Sequence, residues 1–356
     1  MIVGIASGDF LSPQRAKDGA PHWGGAGWAR LGQYQHLIEN HHIVVGSLTW
    51  QQGVGLCIKD DRDILVPCDI IYMQRLMHDT LPDHMKKARA MGQVIINDLD
   101  DWYWGLDPQN GAFASSHPKR NPKENVNHYK KVLASSTVVT VSTQYLADRI
   151  KEWVRCPIHV LENTVDVMRF APVVDSGSNV PMVGWVGSTS HRSGDLEILQ
   201  GIISPLVDRG EIRFQHSGHY PQAESVASRI GLDEDQVTVH PATDARNYPA
   251  LLTMEVGLAP LRDTPFNHAK SDIKLLEYSA AGIPWIGSAL SAYEALRKKW
   301  GVGRTASNPT QWLKHLHALR DPDTRADEAE ALRDAVWARD ISHGAQRLQS
   351  LFDLFG

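Results

Sequence analysis

The stretch "VGLAPLRDTPFNHAKSDIKLLEYSAAGIPWIGS", residues 256–288, reads as strand, loop, helix and strand. Its apolar ends, VGLAPL at 256–261 and PWIGS at 284–288, are short and uncharged, as strands buried on both faces are. Between them an apolar pattern at helical spacing predicts a helix over 272–281. Buried strands joined through an amphipathic helix predict a parallel sheet with crossover connections. The front of that helix is crowded with Asn267, His268, Lys270, Ser271, Asp272 and Lys274. Packing alone does not call for so much polar and cationic chemistry at a helix entrance.

The same alternation extends in both directions. Toward the N-terminus, strands are expected at 1–6, 42–48, 69–73, 93–98, 137–142 and 158–163, with helices at 28–39, 79–91, 124–135 and 143–153. "FAPVVDSGSNVP" at 170–181 then breaks into Pro, Ser, Gly and Asn without periodicity and reads as a linker. Beyond it come strands at 182–187, 211–218 and 237–241, with helices at about 194–208, 221–230, 245–253 and 291–298. From Pro309 onward the chain reads as mainly helical. The fold expected is α/β: two Rossmann-like, doubly wound parallel-sheet domains at 1–170 and 182–325, a linker at 171–181, and helices over 326–356 that cross back to the first domain. Such domains facing each other form an interdomain cleft at the carboxyl ends of their strands, where ligands of open α/β sheets bind.

Bulk properties suit a soluble globular protein. The 356 residues are 42% hydrophobic and 22% charged, with 36 Lys plus Arg against 41 Asp plus Glu. The resulting charge of −5 argues against a dedicated nucleic-acid coat. Cys57, Cys68 and Cys156 show no CxxC spacing, which suggests reduced, structural thiols and a cytoplasmic protein. "MIVGIASGD" lacks a basic leader, and no stretch approaches the apolar length of a membrane span.

A helix entrance is an anion site, because its free amides and dipole point at the ligand. Lys270 and Lys274 add full positive charge there, and Ser271 or Asp272 can cap the amides. Glu277 lies one turn beyond Ile273 and can accept hydrogen bonds from two neighbouring sugar hydroxyls. Diphosphate plus ribose suits the arrangement; an ordinary capped helix with solvated lysines is the competing reading.

"KSDIKLLEYSAAGIPWIGS" (270–288) resembles the donor-binding segment of GT-B glycosyltransferases of the large retaining, glycogen-synthase-like class (glycosyl transferases group 1). In that class a glutamate opens the helix before "A-x-G-x-P" and serves the nucleotide ribose; Glu277 matches it. The partner glutamate eight positions earlier is replaced by Ala269, followed by Lys270. "LENTVDVMRF" (161–170) is similar to the segment that closes the first domain in the same proteins, and 237–261 to the penultimate strands that flank the nucleotide. The Trp-rich, Ala/Arg-rich style is similar to glycosyltransferases of actinobacteria and their phages.

Three further stretches bear on chemistry. "HWGGAGWARLGQYQHL" (22–37) carries Gly24, Gly25 and Gly27, which let backbone amides approach a phosphate or sugar, with Arg30 a turn inside the helix. The glycines stand too far from the first strand for a dinucleotide fingerprint. "IINDLDDWYWGL" (95–106) places Asp98 and Asp100 after a buried strand, where carboxylates can orient acceptor hydroxyls, take a proton or hold a metal. "GWVGSTSHRSGDLEIL" (184–199) lines its turn with Ser188, His191 and Arg192; the resemblance implies diphosphate contacts here, with Arg192 the one certain cation. The basic run at 117–131 reads as a solvated helix face.

The resemblance implies transfer of a hexosyl unit from a nucleoside-diphosphate sugar, such as a UDP-sugar, to an acceptor hydroxyl, with retention and without an essential metal or cofactor. Arg192, Lys270, Lys274 and helix amides would stabilise the departing diphosphate. Protein, glycan, small molecule and modified DNA all remain open as acceptors. A nucleotide-sugar 2-epimerase, or a sugar-nucleotide or glycan-binding protein without turnover, shares the layout.

Overall fold

The computed structural model describes residues 1–13, 16, 20–191 and 194–356. The chain forms two compact units. The first comprises Met1–Leu106, Ala112–Asn163 and Ile341–Gly356; the second comprises Asp107–Gly111 and Thr164–Asp340. The stretch read as a linker, 171–181, and the helix Pro322–Val336 therefore lie within the second unit.

In the first unit six parallel strands lie in the order Ile158–Val160, Val138–Val141, Val94–Leu99, Ile70–Gln74, Ile2–Ser7, His42–Val45. The chain winds one way from Ile2–Ser7 and the other way from Ile70–Gln74 onward, so the switch point lies between those two strands. Helices follow the sequence logic. Leu81, Met85 and Ala88 put one buried stripe on the helix Leu81–Ala90, and Val126, Tyr129, Val132 and Leu133 do the same for Asn125–Ala134. Thr143 caps Gln144–Ile150 by accepting from the Leu146 amide. Val3, Ile5, Ile70, Tyr72 and Ile96 of the sheet pack with Leu348, Leu351 and Phe352 of the last helix, Ile341–Asp353.

The second unit also has six parallel strands, in the order Val237–Pro241, Arg213–His219, Met182–Val186, Val256–Ala259, Trp285–Ser288, Arg304–Ala306. Its switch point lies between Met182–Val186 and Val256–Ala259. The sheet has a core on each face. One joins Val183, Phe214 and Leu258 to Leu196, Ile203 and Leu316; the other joins Val186 and Trp285 to Leu275, Leu276, Leu332 and Val336. Each such fully buried side chain contributes about 1.5–3 kcal/mol, which outweighs any local preference of a short helix.

Several elements differ from expectation. The strand expected at 42–48 divides at Gly46: His42–Val45 joins the parallel sheet, while Ser47–Gln51 pairs antiparallel with Gly55–Lys59, which in turn pairs with Leu65–Pro67. A Cβ at Gly46 would stand 2.1 Å from the Lys59 carbonyl oxygen, so this bend needs a glycine. The helix expected at 28–39 is Gly25–Arg30 followed by a 3-10 turn, Gly32–Tyr34. That at 194–208 is a 3-10 turn, Leu196–Leu199, and a short helix, Ile203–Asp208, and that at 245–253 is the turn Tyr248–Leu251. All three cysteines are free. Among the described residues no helix is long and apolar enough to cross a membrane.

Candidate functional site

At the second unit's switch point, strand Met182–Val186 runs into Gly187 and Ser188, and the helix Ile273–Ala280 packs beside it. Lys274 donates from Nζ to the Val186 carbonyl and lies 5.8 Å from the Trp185 ring centre. One turn on, Glu277 accepts a 2.8 Å hydrogen bond at Oε2 from the Tyr248 hydroxyl. Burial pushes the Glu277 carboxyl above the ordinary carboxylate range; the Lys274 charge, the Tyr248 bond and the Arg169 charge oppose this without cancelling it. Arg169 is itself held by 2.8 Å bonds from Nη2 to the carbonyls of Ala245 and Arg246.

Asp272 does not cap this helix. Its carboxylate forms a two-armed ion pair with Arg339, both contacts at 3.0 Å, and makes no capping hydrogen bond to the helix. Lys270 lies with its ammonium 4.3 Å from the Phe266 ring centre, and Ser271 is half-buried between Lys270 and Asp272. Ser188 Oγ stands 2.9 Å from Ser190 Oγ, and Thr189 anchors the turn through the Glu224 carbonyl. His191 ends the turn Thr189–His191, and Arg192 lies outside the described residues. A cation not singled out in the sequence stands close by. Arg262 follows strand Val256–Ala259, pairs with Asp107 at 2.7 Å, and abuts Gly194, where a Cβ would come within 3.0 Å of its Nη1. Asp195 fixes the same loop by accepting from the Arg262 amide at 2.8 Å and from Asn267 at 2.6 Å.

His216 supports the Gly187 turn from below. Its Nε2 donates to the Gly187 carbonyl at 2.9 Å and its ring stacks on Trp185. Burial, opposed by the Gly187 bond and reinforced by His219 and Lys274, lowers its pKa to about 4. The ordinary histidine value is about 6.5, so the unfolded chain takes up this proton first as pH falls. The stabilisation from neutral His216 is complete above about pH 6.5 and is lost progressively toward pH 4, about 3 kcal/mol in all. His216→Gln is expected to lose less of its melting temperature between pH 7 and 4.5 than the wild type; equal losses in calorimetric scans would refute the assignment.

In the first unit the switch point gathers a charged cluster. Arg75, directly after strand Ile70–Gln74, forms a two-armed ion pair with Asp100, stands 3.6 Å from Asp9 and 3.8 Å from Asp101, and holds a left-handed φ of 57°. Tyr103 donates to Asp100 Oδ1 at 3.1 Å. Burial alone would raise the Asp100 carboxyl, but the Arg75 charge and bonds, with Tyr103 and Arg30, hold it below the usual range.

Asp98, read in the sequence as a partner of Asp100, is separate from that cluster. It is 0% exposed, and its oxygens take Arg30 Nε and Nη2 at 2.9 and 2.6 Å and Thr140 Oγ1 at 2.6 Å. A carboxylate so enclosed stands as a buried ion pair with Arg30, apart from the Arg75 cluster. The glycine loop is likewise spoken for: the Gly24 amide donates to the Asp9 carbonyl at 2.8 Å and the Gly27 amide to Asp9 Oδ2 at 2.7 Å. Gly24 lies against the Asp9 carboxylate, whereas Gly25 has open space. Among the described residues no group of three or more His, Cys, Asp or Glu could hold a metal ion.

The sequence missed Arg75 and Arg262, although each directly follows or closely trails a buried strand, the position that drew attention to Asp100. Tyr248 and His216 carried no such signal.

No protein-family model matches the chain, and no curated protein matches it in sequence. Solved structures do match in fold. Sucrose-phosphate synthase from Thermosynechococcus elongatus superposes with a TM-score of 0.67 at 13% identity, covering 99% of this chain and 98% of that one. HepE from Anabaena, in complex with UDP and glucose, gives 0.66 at 13% identity over 99% and 100%. A glycosyltransferase from Rickettsia africae gives 0.65 at 11% identity over 99% and 98%. These neighbours are GT-B glycosyltransferases, and the two six-stranded parallel sheets with flanking helices are the GT-B fold.

Proposed function

We propose that the protein is a glycosyltransferase that moves a hexosyl unit from a nucleoside-diphosphate sugar to an acceptor hydroxyl, retaining the anomeric configuration and needing no metal. The observation that carries this reading is the second unit's switch point. There an ammonium, Lys274, meets the end of strand Met182–Val186, and the under-solvated carboxylate of Glu277 stands one turn away. Two ribose hydroxyls would give Glu277 the donors that burial denies it. Lys274 and Lys270, with Arg262 beyond strand Val256–Ala259, would face the diphosphate, and the helix entrance at Asp272 adds its dipole. As the bond from the anomeric carbon to the diphosphate breaks, the acceptor oxygen would bond to that carbon and pass its proton to the departing phosphate. The first unit would hold the acceptor, with Arg75 and Asp100 at its switch point.

HepE is known in complex with UDP, which makes UDP the first nucleotide to titrate. Glu277→Ala is expected to weaken UDP binding about 10–100-fold, the equivalent of 1.5–3 kcal/mol for hydrogen bonds to a charged group. Isothermal calorimetry checks this, and unchanged affinity in the folded variant would remove Glu277 from the site. Donor turnover, assayed with and without acceptors and with and without EDTA, tests the reaction. Epimerisation without acceptor, binding without turnover, or a restoring effect of Mg²⁺ after EDTA would each count against it.

A further inference from the structure

The helix entrance assigned to the diphosphate carries a carboxylate of its own. Asp272 stands at the N-cap position of the helix Ile273–Ala280, between Lys270 and Lys274 in sequence. An aspartate in that place ordinarily turns its side chain onto the free amides and is favoured by the positive end of the helix dipole. A phosphate seeks the same amides and the same dipole. Asp272 in its ordinary role would therefore compete with the diphosphate and repel it.

The structure shows the carboxylate held elsewhere. Arg339 is 3% exposed and meets both oxygens of Asp272, itself 7% exposed, at 3.0 Å each, and the Asp272 side chain makes no capping bond. A planar guanidinium gripping both oxygens fixes the carboxylate in direction and cancels its charge. Arg339 is anchored through its own backbone: its carbonyl accepts from the Val165 amide at 3.0 Å, and Asp340 beside it accepts from the Val167 amide at 3.3 Å.

The helix does not depend on this pair for its place. Leu275 and Leu276 share a core with Leu332 and Val336, and Arg333 donates from Nη1 to the Ala280 carbonyl at 2.9 Å. What the pair adds is control of a charge at the entrance.

We propose that Arg339 is a positioning residue of the donor site: by holding and neutralising Asp272 it keeps the helix entrance free for a diphosphate. This rests on the transferase reading, which supplies the ligand. The test is isothermal calorimetry of the full chain with UDP. In Arg339→Met the released carboxylate should weaken UDP about 10-fold or more, as juxtaposed like charges do. Adding Asp272→Asn to Arg339→Met should return UDP to within about threefold of the wild type. Asp272→Asn alone should tighten UDP binding, because Arg339 is then a cation without its carboxylate; this arm decides the matter even where Arg339→Met does not fold. A pair that merely props the helix would behave otherwise, with both single variants and the double variant all weakened. Unchanged affinity in folded Arg339→Met, weakened affinity in Asp272→Asn, or a double variant as weak as Arg339→Met would overturn the proposal. Failure of the wild-type chain to bind UDP is a separate outcome, which would sink the transferase reading and this proposal with it.

Discussion

Arg30→Met is expected to destabilise the first unit by about 3–5 kcal/mol, the cost of leaving a buried charge uncompensated. Arg30 is 4% exposed and donates to both oxygens of Asp98, to the Leu161 carbonyl and, at 2.7 Å, to Asn163 Oδ1. One side chain thus ties the helix Gly25–Arg30 to strand Val94–Leu99 and to the chain leaving Ile158–Val160. Methionine fills much of the same space and answers none of these acceptors, and Asp98 keeps only Thr140 and a long contact from Tyr72. Amide hydrogen exchange along 94–99 and 138–141 reads this unit alone, and protection there should fall by about two to four orders of magnitude, as the energy implies. Arg30→Met combined with Asp98→Leu should recover much of the loss, since the unpaired charge and not the missing pair is what costs. Unchanged protection in Arg30→Met would show that the Arg30–Asp98 pair does not hold this sheet together.

The sheets were legible because parallel strands buried on both faces leave an uninterrupted apolar run, and each such run recurred between helical periods. VGLAPL and PWIGS surface as Val256–Ala259 and Trp285–Ser288, neighbours in register. The small antiparallel sheet escaped notice for the converse reason. Its strand Ser47–Gln51 is only partly buried and continues directly from a parallel strand, and the boundary rests on the approach of Gly46 to Lys59, a contact made only in the folded chain.

Local spacing also explains which parts of the site could be read. Lys274 and Glu277 lie a turn apart on one helix, so their joint placement follows from helical geometry. Arg75 was invisible because its meaning comes from Asp9 and Asp100, which reach it through strand order and not through sequence proximity. Asp272 resembled a cap by position, yet Arg339, distant in sequence, claims it. Asp98 and Asp100 resemble twins in the sequence, since period-two alternation sends both to one side. The strand ends at Leu99, and that end divides them: Asp98 stays under Arg30 inside the sheet, while Asp100 emerges into the Arg75 cluster.

That division sets the last expectation. Asp100→Asn should lower transfer about 10²-fold or more while leaving UDP affinity within about threefold, because the proposed donor contacts all lie in the second unit. Asparagine keeps the shape of the carboxylate but removes the charge that aligns Arg75, and Arg75 then has Asp9 and Asp101 as competing partners at 3.6 and 3.8 Å. Both oxygens of Asp100 are already engaged by Arg75, so its effect on the acceptor would run through the guanidinium, which is more exposed. Arg75→Ala should therefore reproduce the loss, and the double variant should be little worse than either single one, as for residues that act as a unit. The pH profile separates this from a general-base role. With its pKa held below the ordinary carboxylate range, Asp100 stays ionised throughout the pH 5–8 window, so any acid limb there should persist in Asp100→Asn at reduced height. Steady-state transfer measured beside UDP calorimetry decides the matter. Full activity in both Asp100→Asn and Arg75→Ala would reduce the cluster to a strut at the end of a strand.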